Sequence, residues 1–202
     1  MKNNTIILIK KFISSSICNI LKDYLVQEKN EDRLVLWLPN LYMGGIRIND
    51  LDNDMFLPLY ENHKPLQKLH NVPDVFFSVA KNILAQTSLE NPKIAKNSVT
   101  LASVCELNGF VNPHIDRNPH IKTHRLMRCN LMVQNSEAGG EFVVQDGNEN
   151  KIFDLNQGDV IYFFADHLKH WTNPVLGNTS RIIISYPLLV DNDWLKKQLL
   201  YF

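Results

Sequence analysis

The feature that most constrains the fold is a series of short β-like segments that begins after Asn97. Six segments, rich in β-branched and aromatic residues, are separated by Gly, Asn and Asp turns. They are SVTLASVCEL, RLMRCNLMVQ, GEFVVQD, KIFDL, DVIYFF and RIIISYPLL. Short strands with this spacing are typical of an all-β sandwich or barrel. The sequence therefore predicts a mainly β fold with flanking helices.

The first half of the chain is expected to support this β region with helices. One helix is predicted in FISSSICNILKDYLV, capped by Ser14 or Ser15. Its apolar positions recur at helical spacing and are Ile17, Ile20, Leu21 and Leu25. A second is predicted in PDVFFSVAKNILAQ, with Pro73 near its start. Its apolar face comprises Val75, Phe76, Val79, Ile83 and Leu84.

The remaining segments complete a single-domain prediction for residues 1–202. Residues 5–9 form a candidate short strand, RLVLWLP a candidate buried strand, and NDWLKKQLLYF a candidate closing helix. We divide the chain into a helical support region (1–96), a β core (97–190) and a C-terminal helix (191–202). A chain of 202 residues can form one sizeable domain.

Charge and cysteine usage exclude several function classes. Lys and Arg total 21 and Asp and Glu total 21, so no excess positive charge is available for a nucleic acid. The three cysteines have no CxxC spacing, which argues against a disulfide framework and favours a reducing compartment. No apolar segment reaches signal-peptide or transmembrane length. We therefore expect a cytoplasmic protein that binds neither nucleic acid nor a membrane.

The segment NPHIDRNPH contains a candidate pair of metal ligands. On an extended chain His114 and Asp116 point to the same face, roughly 6.6–7 Å apart along the strand. Such a pair needs a third ligand from a distant strand to form a two-histidine, one-carboxylate site. His167 and His170 in FFADHLKHWTNPV are the two candidates, since both lie between the last two predicted strands.

Arg181 opens the very apolar strand RIIIS. A buried arginine is costly unless it is paired, and its planar guanidinium suits a carboxylate bidentately. No carboxylate of the protein is an obvious partner in the sequence. An acidic small molecule is therefore a candidate partner of Arg181.

Taken together, these segments resemble the prolyl-4-hydroxylase-like branch of the Fe(II)/2-oxoglutarate-dependent oxygenases. IILIKKFISSSICNIL is similar to the opening strand and helix of that branch, and ELNGFVNPHID to its approach to the first two metal ligands. RCNLMVQNSEAGGEF, NQGDVIYFF and HWTNPVLGNTSR follow in the family order. The matches cover most of residues 100–188 and, more weakly, residues 5–25.

This resemblance implies a double-stranded β-helix, the jelly-roll also found in cupins. It implies that His114, Asp116 and His170 hold Fe(II), and that Arg181 pairs with the 5-carboxylate of 2-oxoglutarate. His170 is preferred to His167 because the Pro-Val pair and Arg181 have the family spacing from it. The implied reaction uses O2 to hydroxylate an unactivated C–H bond and releases succinate and CO2. Since Asp116 replaces the Gly or Ala of halogenating members, hydroxylation is expected rather than halogenation.

Further polar residues have two possible interpretations. Arg128 and Asn130 alternate with apolar residues, so their face either lies in water or lines the cavity, where Asn130 would contact co-substrate and Arg128 substrate. Ser185 shares a face with Arg181 and is either an ordinary strand serine or a second ligand of the same carboxylate. Glu106 occupies a place where many relatives have an aromatic residue. It would need to be paired, for instance by Arg128, or turned outward.

The substrate is expected to be an amino acid, free or within a peptide or protein, or another small metabolite. Residues 40–72 match nothing assignable and are candidates for shaping the substrate entrance. The other histidines, His63, His70, His120 and His124, are expected at the surface or at the rim of the site. Two alternatives from other classes are a cupin-like metal-binding module without oxygenase activity and a lectin-like interaction domain.

Overall fold

The computed structural model of the chain describes residues 6–46, 69, 71–86, 93–94, 100–118 and 122–192. These residues form two α-helices and fourteen antiparallel β-strands. The helices are α1 (Ser15–Asn30) and α2 (Asp74–Gln86). The strands are β1 (Ile6–Ile9), β2 (Val35–Leu38), β3 (Leu41–Ile46), β4 (Lys93–Ile94), β5 (Thr100–Cys105), β6 (Val111–His114), β7 (His124–Gln134), β8 (Ala138–Gly139), β9 (Phe142–Asp146), β10 (Glu149–Phe153), β11 (Val160–Phe164), β12 (Lys169–Thr172), β13 (Val175–Leu176) and β14 (Arg181–Asp191).

The strands form two sheets and one short pair. The larger sheet has eight strands in the order β1-β11-β7-β14-β5-β3-β2, with β4 also pairing with β14. The smaller sheet has the order β10-β9-β12-β6, and β13 pairs with β8. In the centre of the large sheet, Ile184 lies opposite Leu131 of β7 and Ala102 of β5. The predicted mainly β architecture is confirmed.

The large sheet is covered on both faces. One face packs against α1 and α2, through residues such as Leu131 and Ile184. The opposite face packs against the small sheet, where Met132, Ile161 and Ile183 contact Phe142 and Val144. Side chains alternate between the two faces along each strand. Polar residues that face the small sheet are therefore enclosed between two sheets rather than exposed to water.

The helices begin and pack largely as predicted. Ser14 is the N-cap of α1, since its Oγ accepts a hydrogen bond from the Ile17 backbone N–H at 3.4 Å. Leu21 and Leu25 are fully buried, whereas Ile20 is 51% exposed, so the prediction for Ile20 is wrong. Cys18 is buried on this face instead, four positions after the cap. In α2 the central apolar residues Phe76, Val79 and Ile83 are buried, as predicted.

The strand predicted in RLVLWLP is confirmed as β2, but the prediction that it is buried is wrong. β2 is the edge strand of the large sheet and pairs only with β3 among the described strands. One side of an edge strand has no neighbouring strand to cover it, and Leu36 is 48% exposed. Continuous apolar runs occur in strands that are covered on both faces, but here the run lies at the border of the sheet.

Two predictions fall partly or wholly outside the described residues. The C-terminal helix in NDWLKKQLLYF lies outside them apart from its first residue, Asn192. Most of the unassigned region 40–72 also lies outside them, although its first residues form β3, which was not predicted. Within the described residues, no helix is long and apolar enough to cross a membrane.

All three cysteines are buried as free thiols. Burial raises the pKa of both Cys18 and Cys105 to about 11. Burial also raises the pKa of Cys129, whose thiol lies in the helix-facing core. The expectation that the cysteines form no disulfide framework is confirmed.

Asp159 joins the start of the chain to the turn before β11. Its buried carboxylate accepts hydrogen bonds from Lys10 Nζ at 2.7 Å, the Lys11 backbone N–H at 2.9 Å and the Asn156 backbone N–H at 2.8 Å. Burial raises the pKa of this carboxyl group, but these donors outweigh burial and hold the pKa below its usual value. The ionised form of Asp159 therefore stabilises the fold.

We expect Asp159→Asn to lower the free energy of unfolding by about 1–3 kcal/mol at pH 7, because buried donors lose a charged acceptor. The folded-state pKa lies below the unfolded one, so the contribution is complete above the unfolded pKa. It is lost as the pH falls through the folded-state pKa, below about pH 4. Urea unfolding at pH 7 and pH 3 checks this: the difference between the native protein and the variant should be smaller at pH 3 than at pH 7. An equal difference at both pH values would contradict it.

Candidate active site

Strand pairing in the small sheet brings two predicted metal ligands together. β6 and β12 pair antiparallel, and His114 is the direct cross-strand partner of His170. Direct partners present their side chains on the same face of a sheet. The two imidazole centroids are 4.2 Å apart. Ligands from distant parts of the sequence thus become neighbours through backbone hydrogen bonding alone.

Each imidazole is oriented by the same kind of hydrogen bond, between its Nδ1 atom and a backbone carbonyl two residues earlier. His114 Nδ1 lies 2.8 Å from the Asn112 carbonyl oxygen, and His170 Nδ1 lies 2.9 Å from the Leu168 carbonyl oxygen. A carbonyl oxygen only accepts hydrogen bonds, so each Nδ1 carries the proton and donates it. The Nε2 atom of each ring is left with its lone pair. Metal-binding histidines have this arrangement, in which a backbone carbonyl fixes the tautomer and the ring orientation.

Asp116 supplies the third donor atom. Its Oδ1 lies 3.4 Å from His114 Nε2 and 3.9 Å from His170 Nε2. The backbone N–H of Asp116 donates to the Ala165 carbonyl at 2.8 Å, which ties the carboxylate to the segment before β12. One ligand atom from each of the three residues lies within 4.8 Å of the others. No other group of three metal-binding side chains occurs in the described part of the chain.

The charges of these residues suit a cation. Burial raises the pKa of Asp116, but Arg128 and His114 outweigh it, so this pKa lies well below its usual range. Burial and the neighbouring His114 lower the pKa of His170 to about 4. Burial also lowers the pKa of His114, but its contacts with Asp116 and with the Asn112 carbonyl together outweigh burial and leave the pKa raised. At neutral pH Asp116 is ionised and His170 is neutral, the forms that bind metals.

Arg128 lies on the inner face of the large sheet and contacts the metal-ligand cluster. Its Nε donates to Asp116 Oδ2 at 2.8 Å, and its side chain is 8% exposed. The polar face of β7 therefore lies between the sheets, and the alternative of a water-facing polar surface is wrong. Arg128 contacts Oδ2 of the candidate ligand Asp116, while Asp116 Oδ1 remains directed at the two histidines.

Arg181 is buried at the start of β14. It lies opposite Cys105 of β5 and two residues from Ile183, which packs between the sheets. Its Nε is buried and has no hydrogen-bond partner among the described residues. Burial lowers its pKa to about 10, so the guanidinium remains charged at neutral pH. A buried cation is costly unless a carboxylate pairs with it, and no ion pair of Arg181 with a carboxylate is seen among the described residues, so a carboxylate partner for Arg181 stays a prediction.

Gly140 makes room for Arg181. A Cβ atom at Gly140 would lie 3.0 Å from Arg181 Cδ, and the φ angle of Gly140 is +70°, which side chains rarely adopt. Gly140, between β8 and β9, therefore permits a close approach of the backbone to the aliphatic part of the Arg181 side chain. Glu141, the next residue, supports the charge of Arg181 electrostatically.

Solved structures have the same architecture. A viral collagen prolyl hydroxylase from Paramecium bursaria Chlorella virus-1, in complex with 2-oxoglutarate, is 14% identical, with a TM-score of 0.59 over 93% of this chain and 97% of that one. A prolyl hydroxylase from Trichoplax adhaerens with a hypoxia-inducible-factor peptide is 13% identical, with a TM-score of 0.65 over 95% and 86%. HygX from Streptomyces hygroscopicus, with nickel, 2-oxoglutarate and hygromycin B, is 14% identical, with a TM-score of 0.59 over 91% and 82%.

The chain has the 2-oxoglutarate oxygenase fold. The resemblance found in the sequence is thus confirmed at the level of the fold. No family model and no curated protein match the sequence. At these identities the oxygenase fold is shown, and the residues of the site carry the argument for function.

Asn130 and Ser185 are direct cross-strand partners on the inner face of the oxygenase fold. Asn130 is buried, and its side-chain oxygen has no hydrogen-bond partner among the described residues. Along β7 it lies two positions from Arg128, and along β14 Ser185 lies four positions from Arg181. The pair therefore occupies the stretch of sheet between the metal-ligand end and Arg181.

Other candidates lie away from the cluster. His167 is exposed in the turn between β11 and β12, which agrees with the preference for His170. His124 is at the start of β7 and hydrogen-bonds with Thr123, while His63, His70 and His120 lie outside the described residues. Glu106 forms an ion pair with Lys29 of α1. The suggested pairing of Glu106 with Arg128 is therefore wrong, since Arg128 is committed to Asp116.

Sequence reasoning missed the residues that hold the ligand-bearing segments in place. Asp166 is buried and accepts hydrogen bonds from Asn118, Arg125 and the Leu126 backbone N–H. An aspartate in an apolar stretch, FFADHL, is a signal that a buried carboxylate needs partners. Those partners lie about 40 residues earlier in the chain and have no local pattern.

Proposed function

We propose that the chain is an Fe(II)- and 2-oxoglutarate-dependent dioxygenase that hydroxylates an unactivated C–H bond. The proposal rests on one observation. The Nε2 atoms of two histidines converge on one oxygen of Asp116, while on the facing sheet lies the buried Arg181, whose Nε has no hydrogen-bond partner among the described residues. One β-sandwich thus contains side chains that can bind a metal and a cation that can bind a carboxylate. A dicarboxylic acid that chelates the metal would contact both.

The two facing sheets support a jelly-roll, or double-stranded β-helix, as the arrangement of this core. His114 and His170 belong to the small sheet, whereas Arg181 belongs to the large one. A ligand between the sheets would contact both. The support region 1–96, the core 97–190 and the C-terminal helix 191–202 remain our division of this single domain.

The donor set fits Fe(II). Two imidazole nitrogens and one carboxylate oxygen form the facial triad of non-haem iron oxygenases and leave positions open for exogenous ligands. Arg128 occupies Asp116 Oδ2, so the carboxylate presents Oδ1 alone to the ion. His114 is exposed, which leaves the site accessible from the side of β6. His114, Asp116 and His170 would hold the metal.

The part of the large sheet around Arg181 fits the distal carboxylate of 2-oxoglutarate. Arg181 supplies the charge, and its unpartnered Nε supplies a donor. Ser185 would add a hydroxyl hydrogen bond, and Asn130 an amide contact nearer the metal. The charge of Arg181 is present throughout the neutral pH range, so it would hold the co-substrate without a change in protonation.

Bound Fe(II) and 2-oxoglutarate would supply the oxidising chemistry with O2, forming succinate and CO2 as the substrate is hydroxylated. The residues of the chain hold and orient the reactants. Phe142 and Phe163 pack around His170, with ring centroids 6.1 and 4.8 Å from its own, and keep water from the inner side of the site.

The proposed substrate is an amino acid, free or within a peptide or protein, or another small molecule. The Trichoplax structure contains a peptide, and the HygX structure contains hygromycin B. Arg128 stays a candidate substrate contact in addition to its hydrogen bond with Asp116. We further propose a cytoplasmic protein that binds neither nucleic acid nor a membrane.

Anaerobic addition of Fe(II) and 2-oxoglutarate to the purified protein tests the proposal. We expect a visible metal-to-ligand charge-transfer band and, after O2 is admitted, succinate release that increases with the correct substrate. Candidate substrates are free amino acids, peptides and cell-extract proteins. A cupin-like metal binder would take up Fe(II) without the band, and a lectin-like domain would do neither, so either result would refute an oxygenase.

A further inference from the structure

Two segments that are distant in sequence carry the metal ligands, and one buried carboxylate joins them. Asp116 is followed closely by Asn118, and His170 is preceded by the turn that contains Asp166. Asn118 Nδ2 donates to Asp166 Oδ2 at 2.6 Å, and both side chains are buried. We call this pair the ligand clip.

Both carboxylate oxygens of Asp166 accept hydrogen bonds from groups of the protein. Asp166 Oδ2 also accepts from the Leu126 backbone N–H at 2.8 Å, while Oδ1 accepts from Arg125 Nε and Nη2 at 3.2 and 3.1 Å. Asn118 Nδ2 donates in addition to the His124 carbonyl at 2.8 Å. Three segments therefore meet at one side chain that is 1% exposed: the residues after β6, the start of β7 and the β11–β12 turn.

The clip is directly connected to the ligands on both sides. The backbone N–H of Asp116 bonds to Ala165, the residue before Asp166, at 2.8 Å. On the other side, the Leu168 carbonyl, two residues after Asp166, accepts from His170 Nδ1. A shift of the β11–β12 turn relative to Asn118 would therefore change the separation of Asp116 from His170.

We propose that Asn118 and Asp166 are positioning residues that set the distance between the Asp116 and His170 ligand atoms. This inference rests on the proposed metal site. If the clip served only to pack the core, its charges would add little stability, because apolar residues of similar volume stabilise a core as well as a buried ion pair does. A carboxylate with several directional partners instead fixes one geometry.

Asn118→Ala in the full chain tests the inference. The variant removes the link to the Asp116 segment but leaves Asp166 paired with Arg125 and Leu126. We expect Mn²⁺ affinity, measured calorimetrically on metal-free protein without co-substrate, to fall by about 10–100-fold, as for outer-sphere residues that orient ligands. At saturating metal, the KM for 2-oxoglutarate should stay within about threefold, because Arg181 lies on the facing sheet.

Asp159→Asn is the matched control, since Asp159 is also a buried carboxylate with several donors, and among the described residues those donors are Lys10, Lys11 and Asn156, outside the ligand-bearing segments. It should reduce stability and leave Mn²⁺ affinity within about twofold. The clip is refuted if Asn118→Ala binds Mn²⁺ as the native protein does, or if both variants lose affinity equally. Should Asn118→Ala fail to fold, Asn118→Ser, which keeps a polar side chain too short to reach Asp166, is measured in its place. A native protein that binds no divalent metal would refute the proposed function itself, whereas native binding with an unaffected Asn118→Ala refutes the clip alone.

Discussion

His170→Ala should abolish metal retention and, with it, succinate formation. The buried imidazole presents Nε2 to the same carboxylate oxygen as His114, so its removal leaves two donors in place of three. Loss of an outer-sphere partner alone costs about 10–100-fold in metal affinity, and loss of a direct ligand should cost more than about 100-fold. Calorimetric titration with Mn²⁺ and an assay of succinate release measure the two effects.

His167→Ala is the matched control for this experiment. His167 lies three residues earlier, in the turn before β12, and is exposed; its backbone N–H donates to the Phe164 carbonyl. The variant should keep metal affinity and succinate release close to native. Reversed effects in the two variants would show that His167 is the ligand and that the assignment of His170 is wrong.

Arg181→Ala should raise the concentration of 2-oxoglutarate required for half-maximal rate by roughly 10²–10³-fold, equivalent to about 3–4 kcal/mol. The guanidinium is buried and charged, so a bound carboxylate would lose its principal partner in a site from which water is largely excluded. Metal affinity in the absence of co-substrate should change little, because the ligands are on the other sheet. Initial rates over a range of 2-oxoglutarate concentrations give the effect.

A second 2-oxo acid distinguishes loss of the Arg181 charge from a general disturbance of the folded protein. Pyruvate is a 2-oxo acid without a distal carboxylate, so it should compete about equally well in the native protein and in Arg181→Ala. Ser185→Ala, which removes a single hydrogen bond, should raise the 2-oxoglutarate requirement only by about 2–10-fold. An unchanged requirement in Arg181→Ala would show that another residue holds the distal carboxylate.

Much of the β core could be predicted because its strands are long or strongly patterned. β7 and β14 each have 11 residues and lie side by side in the centre of the large sheet. Arg181 could also be singled out, because a charge at the start of a buried strand requires an explanation. The polar alternation of β7 was detected correctly, yet alternation alone could not say whether Arg128 meets water or a second sheet.

The strands that bring the histidines together could not be predicted. β6 and β12 have four residues each, and β6 contains Pro113, which lacks a backbone N–H donor. Their pairing depends on long-range register, which leaves no local signal. The contact of Arg128 with Asp116 and that of Glu106 with Lys29 were missed for the same reason, since both are fixed by tertiary packing.

The buried state of Cys18, Cys105 and Cys129 has a consequence for the proposed oxygenase activity. The thiolate, rather than the thiol, is attacked by peroxide. With pKa values of about 11, only roughly one in 10⁴ of the Cys18 and Cys105 side chains is ionised at pH 7. Reduced oxygen species released by the proposed enzyme without product formation would meet few reactive thiolates, so we expect oxidation to inactivate the proposed metal site before the cysteines.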